Sequence, residues 1–326
     1  MKKREFLKTV TICAANLGGA AGVWVGSAHA KSPETTTLLV GFAAGGGLDI
    51  LTRQLADDLR TMWARSVIVL NKPGAAGQLA VQDLKKAAPD GSILMTAPFA
   101  VPVMNPEIYN LKDQTSGVDY LPVAQLASFE FAFVVPGNHP AADLPSFIAW
   151  VKQDPTRANF GTAAIGNLPH FLGLNLGTSI GVPMTAVGYK GFGSLIPDLI
   201  GGQIPCAISA ENDFAELRKS GRIRVLATFG DKRSASSTTV PTAKELGIDL
   251  VATGWYAVYA PPKTPAALVE QLAQDISSVL SNQRMSEKMK QMGLVPTPGI
   301  GPKKLAEITA SAIASSGPLI KGSGIK

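Results

Sequence analysis

Apolar and polar positions along this chain switch between two periods. Residues 36–42 are a β-branched and apolar run of strand length, and residues 49–60 follow with Leu51, Leu55 and Leu59 at every fourth position. That spacing puts the leucines on one helix face, with Arg53 and Asp57 as an i,i+4 pair on its other side. The alternation continues with a strand over 67–70, a turn over 71–77, a helix over 78–87, a Pro89-Asp90-Gly91 turn and a strand over 92–97. A long apolar extended run, 126–135, ends at Pro136-Gly137-Asn138. A second series then begins: a helix over 144–153, a strand over 159–163, a helix from Pro169 and a strand over 185–187. A helix over 194–200 closed by Gly201-Gly202 and strands over 204–209 and 225–228 complete it. A second extended run, 254–260, stops at Pro261-Pro262. Thr264-Pro265 opens an N-capped helix striped with Leu268, Leu272, Ile276 and Leu280, and Met285, Met289 and Met292 supply the core face of the next.

Strands alternating with helices predict an α/β protein with parallel sheets. Two series joined by two extended runs predict two α/β lobes, and two crossings make a hinge beside a cleft. The expected division is a leader over 1–30, a first lobe of 31–130 plus 256–326, and a second lobe of 131–255.

The leader changes the charge picture. Lys2, Lys3, Arg4 and Lys8 precede a small, apolar stretch that ends in Ala28-His29-Ala30, an A-x-A cleavage signal. The segment from Lys3 to Lys8 resembles a twin-arginine signal with lysine in the first arginine's place, which leaves Sec and Tat export both open. Export to the periplasm is expected, with the mature chain starting near Lys31. The apolar run is short and rich in Gly and Ala, which disfavours a membrane anchor, and Ile12 before Cys13 disfavours a lipoprotein. Cleavage removes four basic residues and one acid, so the formal charge of +6 falls to +3. The basicity thus belongs partly to the leader and does not point to nucleic acid. The mature chain keeps one cysteine, Cys206, and two histidines, His139 and His170. Neither an internal disulfide nor a Cys/His metal site can be built from them.

The candidate chemistry centres on Gly45-Gly46-Gly47, between a strand and a helix. A G-x-G-x-x-G fingerprint starting at Gly45 would need glycine where Ile50 stands, and no Gly-Lys-[Ser/Thr] follows. No nucleotide or other cofactor is expected. What remains is a backbone cradle in which N–H groups at a helix start receive a carboxylate, with Asp49 placed as the N-cap. Gly177-Thr178-Ser179-Ile180-Gly181 matches the G-x-S-x-G pattern of serine hydrolases, but it follows a helical stretch rather than a strand. An exported hydrolase using Ser179 is the alternative reading. His170 is placed to line a cleft and donate to an anion, His139 to lie in a turn, and Cys206 to be a buried small hydrophobe.

Several segments in order carry a resemblance. They are Gly41 to Asp49, Asn71 to Gly77, Ala87 to Gly91, Gly161 to His170, Gly188-Tyr189-Lys190-Gly191, Asp198 to Gln203, and Trp255 followed by Ala260 to Pro265. With these the chain resembles the periplasmic substrate-binding proteins of tripartite tricarboxylate transporters, the Bug or TctC family. The resemblance implies a type II periplasmic-binding-protein fold whose two lobes close on a small carboxylate, held largely by backbone groups and water. It implies a first loop from Phe42 through Ala44, Gly45, Gly46 and Gly47 to Asp49. It implies a second loop from Thr162 through Ala163, Ile165, Gly166 and Asn167 to His170, with Ala97, Phe99, Tyr189, Gly191 and Ser209 completing the wall. Expected partners are a small organic acid and either transporter subunits or a sensor kinase, with the protein itself a monomer. Three positions depart from the family pattern. Gly41 stands where proline is common, Leu48 where a small hydroxyl residue is common, and Ser209 lacks the charge of the acid, suited to an amino group, that many members carry near its position. The last departure predicts a plain or aromatic carboxylate rather than an α-amino acid.

Overall fold

In the computed structural model, residues 33–108, 119–189, 191–234 and 237–322 are described; the leader and Lys190 lie outside them. The first series forms β1 (Thr35–Val40), α1 (Gly47–Trp63), β2 (Ser66–Asn71), α2 (Gln78–Lys86) and β3 (Ile93–Pro98), then the short helices α3 (Ala100–Val103) and α4 (Asn105–Ile108). The long strand β4 (Leu121–Pro136) leads to α5 (Leu144–Gln153), β5 (Asn159–Thr162), α6 (Leu168–Ile180), β6 (Thr185–Gly188) and α7 (Phe192–Ile200). Next come β7 (Ala207–Ala210), a 3-10 turn Glu211–Phe214, α8 (Ala215–Lys219), β8 (Ile223–Thr228) and β9 (Thr253–Ala260). The chain closes with α9 (Ala266–Ser281), α10 (Gln283–Gln291), β10 (Val295–Pro296) and α11 (Pro302–Gly322).

The strand order is β2-β1-β3-β9-β4-β7-β5-β6, with β8 and β10 also pairing β4. Each series is parallel within itself: β1 pairs β2 and β3, and β5 pairs β6 and β7. The expectation of purely parallel sheets fails in the middle. The two extended runs are not free connectors; they pair with each other as β4 and β9, antiparallel. A linker buried on both faces must satisfy its backbone groups, and pairing is how it does so. β4 lies against β9 from Leu121 to Glu130 and against β7 from Phe131 onward. One strand therefore serves both lobes of a two-lobed α/β fold.

Side-chain roles differ from the expectation at two helices. Arg53 pairs with Asp49, not Asp57, which pairs with Arg60 instead. Thr264 does not cap α9: its hydroxyl donates to the Pro261 carbonyl, and Pro265 holds the cap position without a side-chain bond. The leucine stripe of α1 behaves as its spacing dictates, with Leu51, Leu55 and Leu59 fully buried. Met285 and Met289 are core.

Glu130 marks the place where β4 changes partner. Its carboxyl lies against Gly230, where an added Cβ would sit 2.3 Å from it, and one of its oxygens is buried without a hydrogen bond. Burial first, and the charge of Glu211 second, push its pKa from 4.5 to about 7. Between these values the native state holds a proton that the unfolded chain has released, so stability falls as pH rises through the window. Glu130→Gln should flatten that decline between pH 5 and 8. Melting temperatures of both proteins across that range are the check; parallel curves would count against it.

Candidate functional site

The first loop is built by pinning, not by capping. α1 starts behind Gly46, which is extended (φ −75°, ψ 164°) and offers no side chain to cap the helix. Asp49 is therefore not the N-cap that the sequence suggested but the third helical residue, 3% exposed. Its carboxylate turns back over the loop. One oxygen accepts the Gly45 N–H at 2.9 Å and Arg53 Nε at 3.0 Å, and the other accepts Asn71 Nδ2 at 2.9 Å. Burial alone would raise the pKa of Asp49; Arg53, the Gly45 N–H and Asn71 outweigh it and hold the group below the ordinary carboxylate range. The negative charge at this helix start is thus matched by Arg53. The N–H groups of the first turn keep no intrahelical partner, and they face the exposed stretch Ala44–Gly45–Gly46.

Asn71, at the end of β2, ties the loop a second time. Its amide also donates to the Phe42 carbonyl at 3.2 Å, and its oxygen accepts from Arg53 at 2.8 Å. The Phe42 ring lies on Gly77, and Gly41 faces the same turn so closely that a Cβ there would sit 2.7 Å from the Gly77 Cα. That contact explains the glycine at position 41 in place of the family's proline. Gly41→Ala should cost about 1–3 kcal/mol through backbone displacement. A melting temperature equal to the parent's would contradict the contact.

The second loop repeats the device. Gly45 (φ +85°) and Gly166 (φ +82°) share the left-handed conformation, which glycine adopts without penalty. Each has its N–H held by a side chain four residues on: Asp49 in the first loop, and His170 Nδ1, at 3.1 Å, in the second. Accepting on Nδ1 leaves the His170 proton on Nε2. His170 is 4% exposed and stacks on Phe160, and burial lowers its pKa, which favours the neutral ring. Asn167 is the N-cap of α6, accepting the His170 N–H at 2.9 Å and the Thr162 hydroxyl at 3.0 Å. With Pro169 lacking an N–H, α6 keeps few free donors, and α1 is the more open of the two helix starts. A Cβ on Gly166 would lie 3.8 Å from Ile108, so this loop faces α4.

The predicted wall residues separate into groups. Gly191 donates to the Ala163 carbonyl at 2.9 Å and starts α7 without a side-chain cap. Ile165 is exposed and leans on Gly188. The Tyr189 hydroxyl is taken by Asp198 at 2.8 Å. Ala97 is buried, paired with Ala257 inside the sheet, and offers no free surface. Phe99 packs between Phe131 and Trp255. It lines a cavity of about 630 Å³ together with Leu168, Trp255 and residues of α11.

Ser209 brings a group that sequence reading missed. Its hydroxyl donates to Asp213, one turn on, so an acid does stand at this wall although position 209 itself carries none. Burial pushes the Asp213 pKa up to about 6, against the Ser209 hydroxyl and the Ala210 N–H. Burial, then the nearby Asp213 charge, raise the pKa of Tyr256, while Asn212 works the other way. A Cβ on Gly47 would lie 3.3 Å from Asn212 Nδ2 and 3.7 Å from the Tyr256 hydroxyl, so this cluster abuts the start of α1. The i,i+4 spacing of Ser209 and Asp213 was the available signal, as it was for Asp49 and Arg53.

The remaining motifs are structural. Ser179 is exposed in the last turn of α6 and donates to the Asn175 carbonyl at 2.9 Å, so G-x-S-x-G here is a helix exit and not a nucleophile elbow. Cys206 is fully buried, and burial pushes its thiol pKa up. His139 sits in its turn against Trp150 and Phe147. No cluster of three or more metal-binding side chains occurs among the described residues.

Two α/β lobes sharing β4, with a pinned glycine loop in each, are the build of a solute-binding protein. A family model described as the tripartite tricarboxylate transporter family receptor, TctC, matches residues 51–325, and the chain belongs to that family. It is 32% identical over 301 residues to a Cupriavidus necator protein named from the gbd 5′ region, covering 91% of this chain and 90% of that one. It is 29% identical to Protein BugT of Bordetella pertussis over 303 residues, covering 91% and 90%. Among solved structures, the R. palustris protein Rpa4515 with adipate superposes with a TM-score of 0.81 at 26% identity, covering 90% of this chain and 98% of that one.

Proposed function

We propose that this chain is an exported solute-binding protein that captures a small organic carboxylate, a di- or tricarboxylate or an aromatic acid, by closure of its two lobes. The lobes are 31–130 with 256–326, and 131–255; the change of β4 partner after Glu130 supports that division. The carrying observation is the uncapped start of α1, whose first-turn carboxylate is already matched by Arg53 and whose N–H groups remain for an anion. The ligand's carboxylate sits there, over Ala44, Gly45, Gly46 and Gly47. The second loop, Thr162 to His170, closes from the other lobe, with Tyr189, Gly191 and Ser209 behind it. Asp49, Asn167 and His170 Nδ1 position the loops and do not themselves hold the anion. The adipate bound by the R. palustris protein supports a dicarboxylate. The protein serves as a monomer, delivering to a tripartite tricarboxylate-type transporter or a sensor kinase, without a cofactor.

Thermal melts of protein unfolded, dialysed and refolded to strip bound ligand test this. The panel is succinate, adipate, citrate, benzoate, aspartate and the neutral diamide of adipate. A ligand at about 100 times its Kd adds about 2.7 kcal/mol. Shifts confined to carboxylates are expected. No shift with any of them would overturn the capture reading, and ester turnover lost in Ser179→Ala would favour the hydrolase.

A further inference from the structure

We propose that Asp213 is a specificity-determining residue: it meets the far carboxylate of a bound dicarboxylate as a neutral acid, so that capture of the dianion takes up one proton. This rests on the carboxylate-binding reading above. Asp213 belongs to the turn that abuts the start of α1. Asn212 and the Tyr256 hydroxyl stand against Gly47, where the first carboxylate is received. Asn212 and Asp213 are neighbours in the turn Glu211–Phe214, and Asp213 accepts the hydroxyl of the wall residue Ser209. A ligand with one end on α1 and its other end in this direction reaches a carboxyl group.

The groups that face Asp213 decide what it can do there. Ser209 faces it from β7, Tyr256 from β9, and Asn212 and the Ala210 N–H from its own turn. Among the described residues, the influences acting on it are burial, Ser209 and Ala210, and no lysine or arginine is one of them. An ionised Asp213 would set an uncompensated charge beside a second anion in a closed, water-poor cleft. A protonated one repels nothing. Ser209 donates into one oxygen, which leaves the other to carry the proton and donate it to the ligand carboxylate. The proton comes from solvent, and the group already holds it in part near pH 6. An ammonium-bearing ligand would need the opposite form, the ionised carboxylate.

Titration calorimetry of the refolded protein with adipate and with succinate, from pH 5.5 to 8.5 and in two buffers of different ionisation heat, tests this. Affinity should be level below about pH 6 and fall about tenfold per pH unit above it, with one proton taken up per ligand at pH 7.5. Asp213→Asn, which mimics the neutral acid, should keep tight binding at pH 8 and lose the slope. Ser209→Ala, which removes a bond favouring the ionised form, should move the profile to higher pH. A pH-independent wild-type affinity with no proton uptake would overturn the proposal while leaving carboxylate capture intact. So would aspartate binding more tightly than succinate with an affinity that rises with pH. If neither the carboxylates nor aspartate bind at any pH, the capture reading itself has failed, and this inference with it.

Discussion

Asp49→Ala should lower stability by about 2–3 kcal/mol and weaken carboxylate capture by about ten- to a hundredfold. The substitution removes one buried acceptor, leaves the Gly45 N–H without its partner and takes one bond each from Asn71, which keeps the Phe42 carbonyl, and Arg53, which keeps the Asn71 oxygen. Hydrogen bonds to charged groups contribute about 1.5–3 kcal/mol each. Arg53 is half-exposed and rehydrates, so the loss comes mainly from the Gly45 and Asn71 bonds, both part-buried. Binding suffers separately. Without its pin, the glycine loop must be ordered by the ligand, at about 1–2 kcal/mol per residue fixed, and each 1.4 kcal/mol is tenfold in Kd. The pH sign follows from the depressed pKa: the stabilisation is present above 3.8 and is lost as pH falls through the lower, folded-state value. Melts at pH 7 and pH 3 check this. The gap between parent and variant should be wide at the first and narrow at the second. An equal gap at both would show that the carboxylate's charge does not hold the loop.

Much of the fold was legible because periodicity reports burial. Helix 144–153 has the boundaries its apolar spacing gave, and α2 ends one residue from them. Periodicity does not report partners. The apolar run at 126–135 was long enough for a strand, but nothing local says that it pairs with residues more than a hundred positions away and serves two lobes. A sheet that is buried on both faces reads as continuous hydrophobicity whichever way its neighbours run. The parallel expectation therefore failed at β4 and β9, where the connectors became strands.

The site was legible as loops and not as side-chain bonds. Gly45, Gly46, Gly166 and His170 are all where a helix begins or is about to begin. The roles of the polar residues were assigned from local rules, and tertiary contact overrode them. Asp49 was free to pin the loop from inside the helix because Arg53 and Asn71 converge on it. Asp213 escaped notice because an acid was sought at position 209, while the chain supplies it one turn later and points it back.

Gly46→Ser should separate stability from function. At φ −75° and ψ 164° any residue is comfortable, and among the described residues beyond its chain neighbours an added Cβ meets only the Ala43 carbonyl oxygen, at 3.7 Å. The glycine is therefore not required by the fold at this position. Serine is among the preferred N-caps, where its hydroxyl accepts an N–H of the first turn, a bond that glycine cannot make. The variant should thus be as stable as the parent or a few tenths of a kcal/mol more stable, a rise of about 1 °C in Tm. The same hydroxyl takes up a donor that the carboxylate would use and stands where the ligand approaches. Capture should weaken by about tenfold or more, since one charge-assisted bond contributes about 1.5–3 kcal/mol. Melts without ligand, and calorimetry with whichever carboxylate shifts the parent, measure the two quantities independently. A stable variant that binds as tightly as the parent would move the anion away from α1 and onto the second loop. A destabilised variant would mean that position 46 serves the fold after all.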